Sequence, residues 1–494
     1  MDFGIPSFMD PSSESRTSRE VVTFLGLAFS LLVLYSGQRC LFGTRGTKLP
    51  LPPGPSLLPS SIPDRDIWRT FQQWHARYGP IISLKVGALT VIILGDRQTA
   101  HALLDKRGSI YSDRPKSIFV DKYFDRGFFP VLAPANDYWR LHRRLHTALL
   151  TTKASETYRD IQELESKQLL FEMLSSHDYK RTFHRFAASA MFTLVYGKGL
   201  STDDLGMNEI RDMDEMVELG VQAISIGSFL VDAFPILDRL PRFFSGWKIA
   251  AERAHCNTKS AFTRCINIGF YEDGWNWSQE VSQRKEAQRL TPDQLAYNQG
   301  ELYVAGSHSA RMVMDVFVLT SILQPAAVKK VQQELDRVIG SERLPLFEDM
   351  ESLPYMNAFI LEILRWRQTT PLAVPHAAAK DDEYMGYGIP AGSIVIPNQW
   401  QMNMDTEIFD DPDSFNPDRW IENPELPLSV FGFGRRACPG QQIAHSTLFI
   451  AISRLLWAFN ITSPDKDLKK QLADHSGRLG AVYVPSKINT SFEI

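Results

Sequence analysis

The chain has 494 residues, 44% of them hydrophobic and 22% charged, enough for a large buried core and, on length alone, about three domains. Its formal net charge of -4 carries no basic excess, so no nucleic-acid partner is expected. Four cysteines, Cys40, Cys256, Cys265 and Cys438, are scattered without a CxxC pair, which argues against a disulfide framework or a zinc site and suits a reducing compartment.

From the N-terminus, residues 1–20 read as a short tail and residues 21–37 as a transmembrane anchor. The core of the anchor is the uncharged run Val21 to Ser36, somewhat shorter than the ~20 residues that span a bilayer comfortably. Gln38, Arg39 and Cys40 make a poor cleavage site, so a removed signal peptide is disfavoured. Residues 38–55 form a basic, proline-rich hinge ending in Leu49 to Pro55, whose prolines hold the backbone extended. The remainder, 56–494, is read as one catalytic domain. Asp66 to Tyr78 has helical spacing and stops at Gly79-Pro80; Ile81 to Val86 and Val91 to Leu94 alternate as two strands around a tight turn. Gln98 to Lys106 is a short helix. Gly108 to Pro134 has no period and is rich in aromatics, among them Phe119, Tyr123, Phe124, Phe128 and Phe129.

Asp137 to Thr147 is helical and places Trp139 and Arg143 on one face, with Arg140 and Arg144 on the next. Several amphipathic helices without a chemical motif fill 155–290. Thr291, Pro292 and Gln294 then give a hydroxyl cap, a first-turn proline and a capping-box partner. The helix they start runs to Leu323, about nine turns, and contains Ala305-Gly306-Ser307-His308-Ser309. Further helices cover Pro325 to Ile339 and Tyr355 to Trp366, the second carrying Glu362 and Arg365 three apart. Pro371 and Pro375 force extended chain up to His376. Ser393 to Pro397 is a strand, Phe415 to Trp420 reads FNPDRW, and Phe431 to Gly440 reads FGFGRRACPG before the apolar run Ile443 to Trp457. Three glycines let this last segment approach a flat group closely, and a cysteine at a helix entrance is expected to have a lowered pKa. Such a cysteine suits a metal ligand.

The decamer resembles the cysteine-loop motif FxxGxRxCxG of the cytochrome P450 family at Phe431, Gly434, Arg436, Cys438 and Gly440. The resemblance covers nearly the whole chain and replaces the three-domain prior with one mainly helical domain carrying small β-sheets, the P450 fold, behind a membrane anchor. It implies haem b, with Cys438 as the axial thiolate, Phe431 packed near the sulfur, and Arg436, Trp139, Arg143 and His376 serving the propionates. An anionic sulfur pushes electron density onto iron and favours O–O cleavage. Gly306 corresponds to the glycine of the family's oxygen groove, with His308 at the usual acid and Ser309 at the usual threonine, a relay altered by those two changes. Glu362, Arg365 and Arg419 are implied to form a buried charge cluster. The implied activity is monooxygenation of a small apolar, secondary-metabolite substrate, with NADPH used through a separate flavoprotein reductase and cytochrome b5 as a further donor. Arg140, Arg144 and Lys153 form the docking surface in that reading, and the domain faces the cytosol from the endoplasmic reticulum membrane. Phenol coupling or desaturation without oxygen insertion is one alternative; a non-catalytic haem sensor or electron carrier is another.

Overall fold

Apolar residues at helical spacing dominate this chain, and they fold as that spacing demands. The computed structural model describes residues 49–55, 66–176, 178–225, 229–465 and 488–493, so the 21–37 anchor lies outside the described residues. The helices of twelve residues or more are α1 (Ile67–Tyr78), α2 (Asp137–Leu149), α3 (Arg159–Met173), α4 (Tyr179–Tyr196), α5 (Asn208–Ile224), α6 (Gly246–Tyr271), α7 (Pro292–Leu323), α8 (Pro325–Val338), α9 (Pro354–Trp366) and α10 (Gln441–Ala458). Among the described residues no single helix is long and apolar enough to cross a membrane.

The predicted hairpin forms as β1 (Ile81–Val86) and β2 (Leu89–Leu94), antiparallel with Ile81 opposite Leu94. A late strand, Ile394–Pro397, joins β2 in parallel with Val91 opposite Ile394, and His376–Ala377 completes the four-stranded sheet. The proline segment docks on this sheet: the Ser83 amide donates to the Pro53 carbonyl (3.0 Å) and its hydroxyl to the Pro52 carbonyl (2.6 Å). The end of the expected hinge is thereby fixed to the domain.

Two large apolar clusters form most of the interior, with two smaller ones beside them, and α7 passes through both large ones. Ala296, Tyr297, Leu302 and Tyr303 sit in one, with α6 and the lower half of α4; Ala310, Val313, Phe317 and Leu319 sit in the other, with α9 and most of α10. Each buried Phe or Leu contributes roughly 1.5–3 kcal/mol. Between the two stretches Ala305 is exposed, in the middle of an otherwise largely buried helix. Helix α10 has the same division, with Ile443 in the first cluster and Leu448 onward in the second. The seam between the cores therefore passes both the 305–309 segment and the start of α10, which follows Cys438. Helix α7 begins as its sequence requires: Thr291 accepts from the Gln294 amide, and the Gln294 side chain returns the bond in a capping box.

Several expected boundaries shift. Gln98 to Lys106 becomes a turn of α-helix at Arg97–Ala100 followed by a π-turn at His101–Lys106. The aromatic segment holds a second π-turn, Phe119–Phe124. Its rings serve mostly as core: Phe119 stacks on Phe229, and Phe129 meets Phe262 and Tyr297 edge-on.

Candidate active site

The Cys438 loop is held at both ends. The Cys438 amide donates to the Phe431 carbonyl (2.7 Å), closing a turn around a 3-10 segment at Gly434–Arg436. Gly434 adopts φ +55°, its amide donates to Asp105 Oδ1 (2.5 Å), and a Cβ there would lie 2.2 Å from the Leu104 carbonyl oxygen. Only glycine fits that approach.

Around the loop four basic side chains converge, and the acceptors they bond are neutral. Arg436 donates to the carbonyls of Ser112 (2.9 Å) and Ala133 (2.7 Å), with its guanidinium 4.1 Å over the Trp139 ring. From α2, Arg143 reaches the Ala437 carbonyl (2.5 Å). Arg114 donates to Val131 (2.8 Å), Val374 (2.8 Å) and Pro375 (2.6 Å) carbonyls, and His376 Nδ1 to that of Tyr111 (2.7 Å). Among the described residues none of these four is in a salt bridge. Burial, together with mutual repulsion, holds Arg114 well below its ordinary value, Arg436 down to about 10 and His376 down to about 3. Nearby negative charge comes from Asp113 and from Glu301 on α7, which accepts from the Val131 amide (2.9 Å) and is pushed up to about 7 by burial.

Helix α2 is registered on α7 by Asn298, whose amide donates to His142 Nδ1 (2.7 Å) and His146 Nε2 (2.8 Å). Burial keeps both rings uncharged, at about 3 and about 4, so they can accept. One turn beyond Glu301 comes exposed Ala305, and another turn brings Ser309, whose hydroxyl donates to the Ala305 carbonyl (2.6 Å). Residues 301, 305 and 309 thus share one face. Gly306 points elsewhere: a Cβ on it would meet Met191 Sδ of α4 at 2.5 Å, so this glycine permits close helix packing. His308 is buried and turned toward α4 and α5, with Nε2 2.9 Å from Asp214 Oδ1. The His308 ring is thus directed into the helix contact and away from the face that Ser309 shares with Ala305.

Behind the loop, Glu362 and Arg365 on α9 form a bidentate pair (2.7 and 2.8 Å), both fully buried. Arg419 Nε lies 3.3 Å from Glu362 Oε1, and the Trp420 indole (2.9 Å) and Asn416 amide (2.9 Å) also donate to that carboxylate. Arg365 completes its set on the Asn403 carbonyl (2.8 Å).

The family model for cytochrome P450 matches residues 52–492. The chain belongs to the cytochrome P450 family. It is 41% identical to cytochrome P450 monooxygenase FrzL of Cladobotryum sp over 86% of this chain and 84% of that protein. Against cytochrome P450 monooxygenase aneD of Aspergillus aculeatus it is 37% identical over 90% and 88%, and against fumitremorgin C synthase of Aspergillus fumigatus 34% over 90% and 88%. A solved zebra fish cytochrome P450, with progesterone, superimposes at TM-score 0.72 over 86% of this chain and 99% of that one; at 23% identity this shows the fold alone. This P450 is a monooxygenase enzyme, which sets aside the non-catalytic reading.

The residues fit a haem. Buried Arg114, partly buried Arg143 and Arg436, and His376, whose acceptors here are neutral carbonyls, suit the two propionates of a porphyrin. Cys438 would supply sulfur for its iron. Desolvation by the surrounding protein pushes the Cys438 thiol up, against the Gly440 amide and Arg143, which pull it down, even though the residue is exposed to solvent. The helix entrance alone does not make the thiolate, whereas a coordinating metal deprotonates a thiol outright. Arg114 and Glu301 were not singled out from the sequence. Arg114 lies in Asp113-Arg114-Pro115, inside the aperiodic aromatic segment, and Glu301 sits four residues before Ala305; that spacing was the available signal.

Proposed function

We propose that this P450 hydroxylates a small apolar secondary metabolite, using haem b and electrons passed singly from NADPH through a flavoprotein reductase. The observation that carries the substrate class is a cleft between the sheet, the end of α5 and the aromatic segment, lined by Leu89, Val120, Leu132, Ile224, Phe229 and Ile394. Its walls are mostly apolar, with Arg114, Lys116, Ser117, Ser225 and Asp232 as the polar groups, the usual composition of a small-molecule site. Relatives named for fumitremorgin C and echilunin support a metabolite of that kind.

The haem iron, once ligated by Cys438, supplies reductive activation of dioxygen. The chain's own residues do the rest. Arg114, Arg143 and Arg436 would hold the propionates, and His376, neutral here with Nδ1–H on the Tyr111 carbonyl, would join them only once the anions' charge favours its protonated form; Phe431 belongs to the loop itself; Ser309 holds a hydroxyl proton on the exposed face of α7. One oxygen atom enters a C–H bond and the other leaves as water, consuming two electrons and two protons. Arg140, Arg143, Arg144, Arg289 and Arg435 line a surface hollow of about 430 Å³ beside the Cys438 loop, which supports docking of an acidic reductase or cytochrome b5 there. Lys153, expected in that surface, does not line it. For location, the apolar 21–37 segment and exposed Phe243 (77%) and Phe244 (54%) support anchorage to the endoplasmic reticulum membrane with the domain in the cytosol.

The test is turnover with a reductase, NADPH and labelled dioxygen on the substrate produced by neighbouring biosynthetic enzymes. A product carrying one labelled atom is expected. An unlabelled product would instead indicate coupling or desaturation. Cys438→Ala is expected to lose the thiolate-type Soret band of the ferrous carbon monoxide complex.

A further inference from the structure

Three helices bring metal-binding atoms together at a point the P450 chemistry does not use. His184 on α4, Asp214 on α5 and His308 on α7 each offer one ligand atom, all within 4.8 Å of one another. His308 Nε2 lies 2.9 Å and His184 Nε2 lies 3.5 Å from Asp214 Oδ1. Tetrahedral ligands at zinc's bond lengths of roughly 2.0–2.1 Å stand about 3.3 Å apart, and the two histidine–carboxylate separations lie on either side of that distance.

The hydrogen bonding around the cluster makes a bare arrangement unfavourable. His308 Nδ1 lies 3.2 Å from the Val304 carbonyl and 3.3 Å from the Ser307 hydroxyl; in the neutral tautomer that donates to the carbonyl, Nε2 keeps a lone pair. That lone pair meets a carboxylate oxygen, so a cation belongs between them. A proton would join one nitrogen to the carboxylate, yet His184 Nε2 and Asp214 Oδ1 are buried atoms without a hydrogen-bond partner of proper geometry. A metal ion satisfies all three atoms together. A carbonyl acceptor on the far ring nitrogen is also the usual support for a ligating histidine. Asp214 is 36% exposed, which admits the ion and leaves a water in the fourth position. Of the neighbouring charges, Lys180 lies 3.6 Å from Asp315, and Arg311 stands one turn beyond His308.

We propose that His184, Asp214 and His308 form a zinc-class divalent cation site that ties α5 to α4 and α7. The relatives' names assign nothing of the kind. The test uses untagged, chelator-stripped holoenzyme dialysed against micromolar zinc, with metal counted against haem. About one zinc per chain is expected for wild type, and at least tenfold weaker uptake for the double variant His184→Gln, Asp214→Asn. Zinc-edge absorption on the wild type, which needs no variant to fold, should show nitrogen and oxygen neighbours and no sulfur. Equal uptake by both proteins, a sulfur shell from a cysteine, or no stoichiometric zinc on wild type, meaning protonation only, would each overturn the site.

Discussion

Two charge clusters, one buried and one partly buried, are built on opposite principles. Glu362 with Arg365 and Arg419 is closed: the carboxylate receives donors from two arginines, an indole and a backbone amide, and Arg365 finds a further carbonyl. The cluster of Arg114, Arg143 and Arg436 is open, with its guanidiniums on neutral carbonyls. A closed cluster is complete within the polypeptide, while an open one awaits an anion from outside. The first belongs to the fold, and the second suits an anionic cofactor group.

Removing one partner of the closed set should have the largest effect. Glu362→Gln leaves two buried guanidiniums short of their counter-charge, and a loss of about 3–5 kcal/mol is expected in urea unfolding, with or without haem. A variant that bound haem poorly but unfolded normally would contradict this. Arg436→Ala should do the reverse: haem retention falls steeply in a transfer assay to apomyoglobin, while the haem-free protein loses little stability because a repelled buried charge has gone.

The pH dependence sharpens the contrast through Glu301, the carboxyl facing the open cluster. Its folded value of about 7 lies above the ordinary value of 4.5, so its contribution is fully present below the unfolded value and is lost as pH rises through about 7. The melting temperature of haem-free wild type should therefore fall between pH 5 and pH 8, and Glu301→Gln should flatten that fall. Equal slopes would show that the carboxyl is compensated by the arginines beside it.

The smallest effect isolates burial from distance. Lys330 and Asp418 pair at 2.7 Å, the same separation as Arg365 and Glu362, but their side chains are 54% and 42% exposed. Asp418→Asn should change stability by less than about 0.5 kcal/mol, because solvent screens the pair. A loss comparable with that of Glu362→Gln would mean that separation, and not burial, governs these interactions.

Much of this was legible before any coordinates. The cap at Thr291 and the stop at Leu323 delimit α7 as read from sequence, since capping is local chemistry. The cysteine loop, the Glu362–Arg365 spacing and FNPDRW identify the family because each is a short run of fixed residue types. Side-chain direction was less accessible. Gly306 and His308 were read from position along α7 as parts of an oxygen groove, but both point toward α4, where Met191 and the α5 carboxylate Asp214 meet them.

The sequence by itself determined the helices, their caps and the cysteine-loop motif that marks the family, because those depend on residues within a turn or two of one another. Tertiary structure decided which arginines lack carboxylates, and that His308 meets His184 and Asp214 from two other helices. Charge balance and desolvation are properties of a shared volume, and residues far apart in the chain fill that volume only after the helices have packed.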